Sequence, residues 1–247
     1  MTFDRTIKMY DESFSPNKLD EIAASGVSHV GKFLTAKHHD SYRLQMQEIR
    51  ALKVKRVLEI GLGEGFMASY MRTLGMVYDT LDISQHSDPT LLGRLEDLDV
   101  QTFQRRYHCV CAFQMLEHFP YERFVPNLQK MAALSREYVY ISLPYSCIGF
   151  KFTLSFSIDH NKRWRKTFSF HWPPNKPNKK YREQYVREYP YAVHYWEIGR
   201  QGFPWKRVKA DIESAGLDIV KMFHAENMFH FFVLARKKVP SAIPPTP

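Results

Sequence analysis

Three glycines spaced one residue apart, Gly61, Gly63 and Gly65, lie in the stretch VLEIGLGEGF, directly after an aliphatic run. Glu59 precedes them, and Asp82 follows after about twenty residues, the separation at which a carboxylate reaches ribose hydroxyls. Bare main chain between the end of a strand and the start of a helix offers unpaired N–H groups and a positive helix terminus. The chemistry this suits is the holding of a nucleotide-like ligand. A dinucleotide fingerprint would need glycine at position 66, where the chain has Phe66, so the phase of the glycines counts against NAD.

The side chains able to move a proton lie further along. Glu117 and His118 follow Gln114 and Met115 in FQMLEHFP, and His194, Trp196 and Glu197 are packed together in AVHYWEIGRQGFPW. His118 and His194 are candidate bases, with Glu197 as a carboxylate partner, and Trp196 reads either as a stacking wall for a ligand or as core packing. His38 and His39 have no companion ligands at metal spacing, so no metal site is expected. Of the three cysteines, Cys109 and Cys111 are two apart in an apolar strand and read as a buried, reduced pair.

These residues need a scaffold, and the hydrophobic pattern supplies one. RVLEI (56–60), VYDTLDI (77–83), YHCVCAF (107–113) and YVYISL (138–143) read as strands, with a weakly marked strand after the second. Residues 64–74 read as a helix ended by Gly75. Pro120 opens another helix, with Tyr121, Phe124, Leu128 and Met131 on one face. Alternation of strands and helices predicts βαβ units and a parallel sheet. After Pro144 the pattern stops, and residues 145–195 read as an insertion without sustained period. A helix resumes at Pro204, marked by Trp205, Val208, Ile212 and Ala215, and two closing strands (217–223 and 228–236) read as an antiparallel hairpin at the sheet edge. The expected architecture is a Rossmann-like, doubly wound, mostly parallel seven-stranded sheet in five parts. These are a helical N-terminal cap (1–52), a core (53–144), a basic, aromatic lid (145–200), the completion of the sheet (201–239) and a loose tail (240–247).

The segments VLEIGLGEG, LDIS and CAFQMLEHFP resemble the first, second and fourth strand ends of class I S-adenosylmethionine-dependent methyltransferases of the broad, type-11-like small-molecule group, over roughly residues 54–143. The resemblance implies S-adenosylmethionine as cofactor. It implies that the glycine loop lets its methionine part pass close to backbone, that Asp82 binds ribose and that Ile83 packs on adenine, with Glu59, Gly61, Leu62, Gly63, Gly65 and Ser84 also in the cofactor set. It also implies that Asp97 and Leu98 are the nearest match to an adenine-binding acid after the third strand, Arg94 standing where another acid was expected, and that Gln114 and Met115 face the methionine end. The His-x-Trp-Glu-Ile-Gly and Phe-Gln-x-Leu-Glu-His segments are similar to those of methyltransferases associated with surface polysaccharide synthesis.

Charge narrows the acceptor. The chain carries 35 Lys and Arg against 26 Asp and Glu, a net +9. Ten of the basic residues and only three acids fall between Lys151 and Pro190. An excess of this kind favours an anionic partner; together with the methyltransferase resemblance, the expected acceptor is a small molecule or glycan, methylated on oxygen. An RNA acceptor is the alternative that aromatics among basic residues suggest, although no RNA-binding module is recognisable. A cofactor-binding protein without catalysis is the other. No run is long enough to span a bilayer and no signal peptide is visible, so a cytoplasmic location is expected.

Overall fold

A computed structural model describes residues 36–158, 163–177 and 194–238. The tail, most of the N-terminal cap and much of the basic lid lie outside them.

Seven strands form one sheet in the order β3-β2-β1-β4-β5-β9-β8. Here β1 is Arg56–Ile60, β2 Val77–Asp82, β3 Leu91–Leu92, β4 Tyr107–Phe113, β5 Ser135–Pro144, β8 Leu217–His224 and β9 His230–Lys237. β1 pairs in parallel with β2 and β4, and β4 with β5, whereas β9 runs antiparallel to both β5 and β8. Strand residues alternate between two buried faces, which is why the central strands read as continuous apolar runs. On one face Leu58, Val110 and Val139 meet Phe124, Leu128 and Met131 of helix α4 (Phe124–Leu134), which follows the short α3 (Val100–Phe103), and Val208 and Ile212 of α5 (Trp205–Ser214). On the other, Val57, Cys109 and Cys111 meet Ile49 of α1 (Ala36–Ala51) and Met67 and Met71 of α2 (Phe66–Thr73). Cys109 and Cys111 are fully buried, free thiols with Sγ atoms 3.6 Å apart, as their two-residue spacing requires.

Helix α1 is the described part of the cap, and it touches two regions at once. Tyr42 packs on Phe66, the first residue after the glycine loop, with ring centroids 5.1 Å apart. Asp40 accepts from the backbone N–H of Glu226 at 2.8 Å, and Ser41 Oγ lies 2.9 Å from His230 Nδ1, at the β8–β9 turn and the start of β9. The His38 ring lies 5.9 Å from that of His230, tilted at 57° to it, and is half-buried, while His39 is exposed.

Three expectations need correcting. The third strand is only the two residues Leu91–Leu92, so Asp97 does not stand at its end but in a turn five residues later. The helix after Pro120 begins as a 3-10 turn, Tyr121–Arg123, before α4. The insertion is not aperiodic: β6 (Ile148–Ser157) and β7 (Arg163–Trp172) pair over ten residues each as a separate antiparallel ribbon. No helix among the described residues is long and apolar enough to cross a membrane.

Candidate active site

The glycine loop closes the carboxyl end of β1. Gly61, Gly63 and Gly65 have φ of 82°, 58° and 72°, left-handed values that cost a Cβ-bearing residue about 1–2 kcal/mol. They turn the chain sharply enough to start α2 at Phe66. Asp82, the last residue of β2, fixes the loop: its Oδ2 accepts from the Leu62 N–H and its Oδ1 from the Ser84 N–H, both at 2.8 Å. Each carboxylate oxygen retains a second lone pair for a ligand hydroxyl. A Cβ on Gly61 would stand 2.9 Å from Met115 Cγ, while one on Gly63 meets nothing within 4 Å. The loop therefore rests on Met115 and leaves space above Gly63. That open cradle, bordered by a part-buried carboxylate, fits an adenosyl ligand with a methionine tail. Ile83 is half-buried between Asp82 and Ser84.

Glu59 lies under this loop rather than on it. Its side chain is 4% exposed, and burial, followed by the nearby Asp82 charge, pushes its pKa up to about 8, with the Tyr78 hydroxyl and Arg72 acting the other way. Glu59 Oε2 and Tyr78 OH are both buried, and the phenol stands beside the carboxyl as its polar neighbour.

The carboxyl end of β4 supplies the opposite wall. Gln114 has φ of 52°, a strained value for a residue with a side chain. It is held there because its backbone N–H donates to Ser142 O at 3.0 Å and to Ser142 Oγ at 3.1 Å, while its Nε2 donates to the same hydroxyl at 3.3 Å. The strain turns Met115 beneath Gly61 and starts the 3-10 turn Leu116–His118.

That turn meets the second dense segment. The Tyr195 N–H donates to Glu117 O at 2.8 Å, and the rings of His118 and His194 are 5.1 Å apart, edge to face. Donor atoms of Glu117, His118 and His194 all lie within 4.8 Å of one another, the one such group among the described residues, and two imidazoles with a carboxylate could hold a divalent cation. Glu197, 1% exposed, has His194 Nδ1 2.9 Å from its Oε1, while Arg200 Nε donates to its Oε2 at 3.3 Å. Because the carboxylate only accepts, Nδ1 carries the proton and Nε2 of a neutral His194 is left as a base. Beside Glu197 and Arg200 opens a cavity of about 300 Å³, lined also by Tyr145, Cys147, Asn227 and Phe229. It sits beyond the end of β5, next to the β8–β9 turn, and Phe229 stacks on His194 at 6.3 Å.

The structure thus brings together Gly61, Leu62, Gly63, Gly65, Asp82 and Met115 around one crevice, and His118, His194 and Glu197 in one cluster. Among the described residues no hydrogen bond or ion pair links Asp97 to that crevice. Its side chain is exposed, and Leu98 packs against the core instead. Trp196 is core, not a ligand wall: it is fully buried against Tyr121, Phe124 and Phe203. Arg200 was overlooked in the sequence, although its place three residues after Glu197 was a legible signal.

The methyltransferase domain family model matches residues 36–221. The chain belongs to that family. Its sheet order and glycine loop are those of the class I S-adenosylmethionine-dependent methyltransferases. Solved structures with the same fold include 1,6-didemethyltoxoflavin-N1-methyltransferase of Burkholderia thailandensis, with its substrate and S-adenosylhomocysteine bound. It is 14% identical, with 91% of each chain covered and a TM-score of 0.55. Magnesium protoporphyrin IX methyltransferase of Synechocystis PCC 6803, with S-adenosylmethionine bound, is 13% identical over 84% of this chain and 83% of that one, with a TM-score of 0.53. A S-adenosylmethionine-dependent methyltransferase of Archaeoglobus fulgidus is 15% identical over 83% and 96%, with a TM-score of 0.52. No curated protein sequence matches the chain significantly.

Proposed function

We propose that this methyltransferase moves the methyl group of S-adenosylmethionine onto an oxygen of a small-molecule or glycan-type anionic acceptor. When bound, S-adenosylmethionine supplies a methyl group made electrophilic by its sulfonium. The protein's part is to hold the two reactants in line, which can supply much of the acceleration, and to take the proton that an attacking hydroxyl sheds. In this reading the main chain of Gly61–Gly65 and the side chains of Gln114 and Met115 hold the methionine end. Asp82 holds the ribose, with Ile83 and Ser84 against the adenine; Glu59 steadies the loop from below, and Asp97 and Leu98 close the far side.

His194 is the base. Glu197 orients its ring and stabilises the imidazolium once the proton arrives, Arg200 donates to the other oxygen of Glu197, and His118 borders the same space. The guanidinium of Arg200 has further N–H donors beyond the one it gives Glu197, and it lines the cavity, which supports an acceptor bearing carboxylate or phosphate.

The observation that carries the reading is the Asp82 carboxylate, hydrogen-bonded across the mouth of a loop of three left-handed glycines. Calorimetry tests it: S-adenosylhomocysteine should bind to the wild type, and Asp82→Ala should lose most of that affinity. Absence of heat with the wild type overturns the cofactor assignment. A panel of anionic hydroxyl-bearing acceptors, followed by release of S-adenosylhomocysteine, tests the rest.

A further inference from the structure

The β6–β7 ribbon sorts its side chains by face. In register, Ile148 stands opposite Trp172, Phe150 opposite Phe170, Phe152 opposite Phe168, Leu154 opposite Lys166 and Phe156 opposite Trp164. Alternate residues of paired strands share a face, so nine of these ten side chains make one apolar surface, seven of them aromatic. All nine are exposed, from 45% at Trp172 to 66% at Phe156. The intervening positions are polar, with Thr153 and Thr167 joined across the strands at 3.1 Å.

Nine half-exposed large side chains amount to roughly 1,000 Å² of apolar surface, beyond what a soluble monomer ordinarily leaves bare. A two-stranded ribbon is also marginal by itself in water and needs something to pack on.

Charge selects the occupant. Residues 148–172 carry five Lys and Arg against one Asp. Two copies set face to face would gather like charges, and Lys166 would be trapped within their interface. An anionic surface attracts the same charges, and a long ammonium side chain reaches out of an apolar layer to the headgroups. Lys166 lies over the Phe168 ring, 5.2 Å from its centroid, at the flank of the aromatic face. Phe and Trp on one face with basic residues around them is the composition of elements that lie in a bilayer interface without crossing it.

We propose that the β6–β7 ribbon docks on an anionic lipid surface through its Phe150–Phe156 and Trp164–Trp172 face. Gly149, at the root of the ribbon, lines the cavity beside Arg200, so docking places that cavity at the membrane boundary, within reach of an amphiphilic acceptor. The docking itself rests on the ribbon and not on methyl transfer.

Co-sedimentation of the full chain with phosphatidylcholine–phosphatidylglycerol vesicles, against phosphatidylcholine alone, tests it. The wild type should bind the anionic vesicles at least about tenfold more tightly than neutral ones, with a blue shift of tryptophan fluorescence. Phe152→Ser/Phe168→Ser should lose about tenfold or more of that affinity, and Lys166→Glu should weaken it while keeping the aromatic face. Circular dichroism and the thermal midpoint confirm that each variant is folded. No binding to anionic vesicles, or equal binding by the double variant, overturns the proposal. A concentration-dependent dimer that the double variant dissolves, without vesicle binding, assigns the face to a second copy instead.

Discussion

His194 Nδ1 lies 2.9 Å from Glu197 Oε1, inside a segment whose backbone is tied to the turn carrying His118. A buried carboxylate in that position orients the ring, with Nδ1 toward Glu197 and Nε2 facing away from it. Glu197→Gln keeps the shape but can present an N–H to the ring and reverse the tautomer. It should lower kcat by about 10²- to 10⁴-fold with little change in cofactor affinity. Steady-state kinetics beside calorimetry would show the split; an equal loss in both would make Glu197 merely structural.

Gly61 and Gly63 separate folding from binding. Both have positive φ, but only a Cβ at Gly61 collides with Met115. Gly61→Ala should cost the backbone strain of about 1–2 kcal/mol plus the displacement of Met115, and should abolish cofactor binding. Gly63→Ala should cost only about 1–2 kcal/mol of stability and still lose binding, because its methyl enters the open cradle. Denaturant midpoints and cofactor titrations on the two variants check this, and unimpaired binding by Gly63→Ala would place the ligand elsewhere.

Glu59 makes stability depend on pH in an unusual direction for a carboxylate. Its pKa is raised in the native state from 4.5 to about 8, chiefly by burial. The folded protein therefore holds a proton that the unfolded chain releases, so this contribution is complete below pH 4.5 and is lost as pH rises through 8. Urea unfolding of the wild type should weaken by a few kcal/mol across that window. Glu59→Gln, neutral throughout, should flatten the decline. An unchanged slope would mean that another group titrates there.

Trp196 is a core residue, and its replacement should be felt in stability. Trp196→Ala should cost about 3–5 kcal/mol, as large buried aromatics do on truncation. Trp196→Phe should cost far less, since the indole Nε1 it removes has no hydrogen-bond partner among the described residues. Thermal melts of the two variants decide between this and a ligand wall, for which acceptor affinity would fall in both while stability held.

The central strands were legible because β1, β4 and β5 are buried on two sides, and their letters show it. The glycine loop was legible for a different reason: few arrangements other than a ligand-holding turn need three bare residues at that spacing. What failed was context. His118 and His194 are far apart in the chain, and nothing local reveals that the turn after β4 receives Tyr195. β3 is too short to carry a pattern, so the distance from its end to Asp97 was not legible. Trp196 reads equally well as wall or core until its neighbours are known. The ribbon is the instructive miss. Ile148, Phe150, Phe152, Leu154 and Phe156 alternate with a strict period of two, but the prolines and charges further along the insertion obscured it.

Helix α1 has its own consequence. Through Tyr42 it leans on the start of α2 beside the glycine loop, and through Asp40 it holds the turn that borders the cavity at Arg200. A motion of this helix that widens the way to one ligand also loosens the wall of the other. The same helix thus ties the loop proposed for the donor to the turn beside the cavity proposed for the acceptor, so a displacement of α1 would be felt at both.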